Sequence, residues 1–73
     1  MLYSRIEMIW LFDRDGEKIR YEISRDRALN CYRVVITQPD GSESVEEVGE
    51  PNEVIERSVA FMNSLKSKGW RFA

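Results

Sequence analysis

Arg5-Ile6-Glu7-Met8-Ile9-Trp10-Leu11-Phe12, then Asp13-Arg14-Asp15-Gly16, then Lys18-Ile19-Arg20-Tyr21-Glu22-Ile23 is the stretch on which the fold turns. Two β-branched and aromatic runs, the second strictly alternating, flank an Asp-Gly break, which is the signature of a β-hairpin. The device recurs further on. Cys31 to Thr37 ends at Gln38-Pro39-Asp40-Gly41, and Glu43 to Val48 returns. Proline at the second turn position presets φ, Asp tolerates the bridge region and Gly takes positive φ. Both turns are therefore expected to be type I closed by a glycine bulge. Ser24 to Asn30 lacks apolar periodicity and reads as a loop between the second and third strands.

After Gly49, Glu50-Pro51-Asn52-Glu53 starts a helix, with Pro at the first position and an acid near the positive end of the dipole. Val54, Ile55, Val59, Phe61, Met62 and Leu65 follow at three- and four-residue spacings and define its buried face. Gly69 supplies a left-handed stop, and Trp70 is placed to pack back on Leu65 as in a Schellman closure. The expected fold is α+β: a four-stranded antiparallel sheet from two β-hairpins (β-β-β-β-α), with one C-terminal helix packed on one face.

The 73 residues suit one small domain, 1–73, and a chain of this length buries only about 60–65% of its unfolded surface. Stability then leans on every aromatic or on a partner. The longest apolar run, Met8 to Phe12, is too short to cross a bilayer and too short for a signal sequence, so a cytoplasmic location is expected. The single cysteine, Cys31, makes no internal disulfide and is expected to be a packed strand residue.

The two faces of the first hairpin depend on its register. A three-residue loop puts Ile9, Leu11, Ile19, Tyr21 and Ile23 under the helix and leaves Met8, Trp10 and Phe12 uncovered beside Lys18, Arg20 and Glu22. A four-residue loop puts Ile6, Met8, Trp10 and Phe12 inside with Ile19, Tyr21 and Ile23, leaving Ile9 and Leu11 outside. In either case the first strand is apolar on both faces and one helix covers one of them. A second protomer, a ligand such as nucleic acid, or the tail Trp70-Arg71-Phe72-Ala73 is expected to cover the other.

Chemistry is narrowly bounded. Histidine is absent, which removes imidazole-based triads and dyads, and there is no phosphate loop, zinc set or haem motif. Asp13, Asp15 and Glu17 resemble part of a calcium loop, but Gly16 stands at its fourth position instead of its sixth. Glu46 and Glu47 point to opposite faces of a strand and cannot share a reacting bond. No catalytic residue, cofactor or metal is expected, and the chain reads as a non-catalytic binding or protein-interaction domain, homodimerisation included. Its candidate interface is Ile9, Leu11, Trp70 and Phe72.

The other reading is single-stranded nucleic-acid binding through a sheet face. Trp10 and Phe12, with Tyr3, Tyr21 or Tyr32, would stack bases, while Lys18, Arg20 and Arg33, with Arg5, would track phosphates. The β-β-β-β-α order is similar to that of the Whirly-like single-strand binders, which also dimerise. That resemblance covers most of the chain, rests on element order without a shared motif, and carries over no site residue. Against it stand a pI of about 5.1 and the run Asp40 to Glu56, with seven acids and no base. The last three strands and the helix also resemble part of a double-stranded RNA-binding domain. Its first helix is missing, and the helix start here is acidic where that domain's is basic.

Overall fold

Both hairpins form, but the first turn is tighter than a glycine-bulge loop. A computed structural model of the chain describes residues 4–26, 28 and 30–73, with residues 4–6 described by backbone alone. Strands β1 (Ser4–Arg14) and β2 (Glu17–Asp26) are joined by Asp15 and Gly16 alone, at φ 50° and 83°. Two successive left-handed residues make a type I′ turn, whose twist matches that of the flanking strands. Asp accepts this conformation more readily than most residues, so Asp-Gly takes the two-residue solution in place of the expected bulge. The second turn is the expected one: the Gly41 N–H donates to the Gln38 carbonyl at 2.9 Å and Gly41 sits at φ 89°. It links β3 (Cys31–Thr37) to β4 (Glu43–Val48), and the Asp40 carboxylate accepts from the backbone N–H and hydroxyl of Ser42.

The tight turn sets the register. Phe12 pairs with Ile19, Trp10 with Tyr21 and Met8 with Ile23, so of the two alternatives the sheet adopts the one with Trp10 and Phe12 on the helix side. β2 runs further than expected: Ser24, Arg25 and Asp26 pair with Arg33, Tyr32 and Cys31. Pairing to β3 overrides the polar composition there, as tertiary contacts commonly do. The expected loop shrinks to residues 27–30, with Ala28 N–H donating to Asp26 Oδ1 and Asn30 left-handed.

Helix α1 (Pro51–Ser67) buries Val54, Ser58 and Leu65, with Phe61 and Met62 partly covered. Phe61 stacks on Tyr21 at 5.0 Å and meets Phe12 edge-on at 6.2 Å. The polar atoms in this core are matched. Ser58 Oγ donates to the Val54 carbonyl at 2.7 Å and so accepts from the Tyr21 hydroxyl at 2.8 Å. The helix ends as its sequence implies: Trp70 N–H donates to the Leu65 carbonyl and Gly69 N–H to that of Lys66, with Gly69 at φ 89°.

The tail then folds back. Trp70 is buried, and Arg71–Phe72 form a short fifth strand, β5, on the free edge of β1, giving the order β4-β3-β2-β1-β5. Phe72 pairs with Phe12, and Ala73 N–H donates to the Leu11 carbonyl at 2.9 Å. Arg14, beside the first turn, locks this closure. Its guanidinium lies 4.6 Å from the Trp70 ring and donates to the Lys68 carbonyl at 2.9 Å. Arg14→Ala should therefore cost about 1 kcal/mol in urea denaturation, with Arg14→Lys recovering only part of it. Equal stability of all three proteins would show that the clamp holds nothing.

Candidate functional site

The register divides the first set of expected site residues between two faces. Trp10 and Phe12 lie on the helix side, where Phe12 is 1% exposed and stacks on Phe72 at 4.9 Å, and Trp10 stacks on Tyr21 at 5.5 Å. Lys18, Arg20 and Arg33 fall on the opposite, open face. The structure therefore does not bring the aromatics and the cations together as a base-stacking surface. The reason is the one-residue difference between a two-residue and a three-residue turn, which exchanges faces along the whole strand. Tyr3 lies outside the described residues, as do the side chains of Arg5 and Ile6.

The second set is also divided. Ile9 and Leu11 are exposed on the open face, whereas Trp70 is in the core and Phe72, half exposed, is on the helix side. Elsewhere the open face carries Lys18, Val45 on the far strand β4, and two arginines held in ion pairs. Arg20 meets Glu22 at 2.7 Å, and Arg33 faces Asp26 and Glu47, both at 3.6 Å. Cys31 lies in this carboxylate-rich corner, 3.8 Å from Glu47. Burial, then the Glu47 and Asp26 carboxylates, push its thiol above the ordinary range, with Arg33 opposing less. That is the reverse of an activated thiolate.

The helix side holds a feature the sequence did not announce. Met8 and Trp10 of β1 face Ile55, Val59 and Met62 of α1 across a groove of about 320 Å³ floored by Ile23, Val54 and Ser58. No lining residue is charged, and the single hydroxyl, that of Ser58, is already hydrogen-bonded twice. Ile55 and Val59 were expected in the buried face, yet they are 61% and 44% exposed. Each helical residue advances about 100°. The side chains of Val54, Ser58, Phe61 and Leu65 thus cluster over the sheet while Ile55 and Val59 fall on the flank facing β1. A polar serine at 58 amid apolar residues was the available signal that the core line and the apolar stripe do not coincide. The helix's other flank is satisfied, with Arg57 paired to Glu46.

A second hollow, of about 360 Å³, lies at the turn end between Arg14, Gln38, Pro39 and Lys68, and is occupied at one wall by the Arg14 clamp. Among the described residues no helix is long and apolar enough to cross a membrane. Sheet, helix and groove define a small α+β domain with an antiparallel sheet. No protein-family model matches the chain, and no curated protein and no solved structure matches it either.

Proposed function

We propose that the chain is a non-catalytic, cytoplasmic protein-interaction domain whose contact surface is the β1 edge and the apolar groove beside it. The observation that carries this reading is the groove: an uncharged trough next to a strand edge. An aliphatic or aromatic side chain of a partner gains by entering it, and no polar group there is left to bind a small polar ligand. Single-stranded nucleic-acid binding is the weaker reading, because among the described residues the face that carries Lys18, Arg20 and Arg33 has no aromatic from the candidate set and two of its cations are matched to carboxylates.

A photo-reactive phenylalanine analogue placed at position 59, in cells making the protein, is expected to give a covalent adduct of defined mass. The same probe at Val45, on the far edge of the sheet and its open face, should give none. Equal labelling from both positions, or no adduct from position 59, would remove the reading.

A further inference from the structure

We propose that the hollow at the turn end is a binding site for a small organic monoanion, a carboxylate on an aryl or branched alkyl body, with the acid at its rim and the body on its floor. The site is independent of the interaction reading, whose groove shares no residue with it. The hollow, of about 360 Å³, opens between the C-terminal half of α1 and the two hairpin turns. Its floor is apolar: Ile19, Leu65 and Trp70 are buried and Phe61 is half-buried. Its rim is charged and polar, and the charges do not cancel. Arg14 and Glu17 face each other across the first turn at 3.7 Å, and Arg14 also donates to the Lys68 carbonyl. The Lys68 ammonium, by contrast, meets no carboxylate among the described residues. The Ser64 hydroxyl, one helical turn earlier on the same side of α1, and the Gln38 side-chain amide across the opening are likewise without a hydrogen-bond partner there.

One uncompensated positive charge and two uncommitted donors above an apolar floor select the ligand. A cation would meet Lys68 unopposed. A bare inorganic anion would leave the floor wet, and a neutral apolar molecule would leave the ammonium without a counter-charge while the uncharged groove suits it better. A carboxylate with an apolar body matches both parts: its oxygens accept from Lys68, Ser64 and Gln38, and its body covers the edges of Phe61, Leu65 and Trp70. The volume stands at the small end of ligand cavities and suits a molecule on the order of ten non-hydrogen atoms. Because the ammonium is exposed, the ion pair contributes selectivity and the covered floor contributes most of the affinity.

The two tryptophans report separately, since Trp70 lines the hollow and Trp10 the groove. Hydrocinnamate titrated into the isotopically labelled full chain should move the NMR resonances of the Trp70 indole, Leu65 and Lys68 with a Kd of about 1 mM or tighter, and leave those of Trp10 and Val59 in place. Hydrocinnamyl alcohol, with the same body and no charge, should bind about fivefold more weakly or less, and propionate, with the charge and no ring, should not bind measurably. Lys68→Met keeps the side-chain stem and the backbone carbonyl that Arg14 uses, so it should retain the native circular dichroism spectrum and lose about fivefold or more in hydrocinnamate affinity. No shift at about 10 mM hydrocinnamate would overturn the proposal, since that exceeds the expected Kd tenfold. Shifts centred on Trp10 and Val59, equal binding of the alcohol, or a Lys68→Met protein that is folded and binds as well as the parent would overturn it too.

Discussion

Removing Trp70 to Ala73 is expected to lower stability by about 4 kcal/mol, which for a domain of this size is about 15–30 °C in Tm. The loss has three sources. Trp70 is 6% exposed and fills the core between the helix end and the first hairpin. Its N–H closes the last helical turn on the Leu65 carbonyl, and its ring is the surface on which Arg14 rests. Deleting only Phe72 and Ala73 should cost about 1 kcal/mol, since Phe72 is half exposed and β5 contributes a short ladder. Thermal denaturation followed by circular dichroism separates the two truncations. An unchanged Tm after the longer deletion would mean that Trp70 does not hold the helix to the sheet.

Phe12→Ala should cost about 3–5 kcal/mol, a large share of the stability a chain this short can have, and leave a broad or absent urea transition at 25 °C. Phe12 ties β1 to two other elements: its ring meets Trp10 of its own strand at 6.3 Å, Phe61 of α1 at 6.2 Å and Phe72 of β5 at 4.9 Å. A double-mutant cycle between Phe12→Leu and Phe72→Leu should show a coupling of about 0.5–1.5 kcal/mol, the usual worth of an aromatic pair beyond its area. If Phe12 lay on the solvent face, as the three-residue turn would place it, the alanine variant would unfold within about 0.5 kcal/mol of the parent.

The two hairpins, the helix and its glycine stop were legible because each is written locally, in period-two alternation, Asp-Gly breaks and a three-and-four spacing ended by Gly69. The register of the first hairpin was not. Asp15-Gly16 is compatible with a two-residue and a longer turn, and neither strand breaks the tie, since β1 is apolar on both faces. The packing of Phe12 and Trp10 against Tyr21 and Phe61 decides it, and that is a long-range contact. β5 was invisible as a strand because two residues have no period, although the return of the tail was one of the alternatives its aromatics suggested. The groove was hidden for a similar reason. Ile55 and Val59 look like core residues on a helical wheel, and only the position of α1 over the sheet shows that an open groove separates its β1 flank from Met8 and Trp10.

The clamp between Arg14 and the Lys68 carbonyl spans 54 positions of the chain, and β5 lies still further along. During synthesis β1 emerges first and the strand that seals part of its edge comes last. Until residues 71–73 appear, the nascent protein presents Met8 to Phe12 with no strand on their outer side. Slow elongation through residues 43–73 would prolong that interval, so codon choice there should govern how much of the protein reaches the native state instead of aggregating.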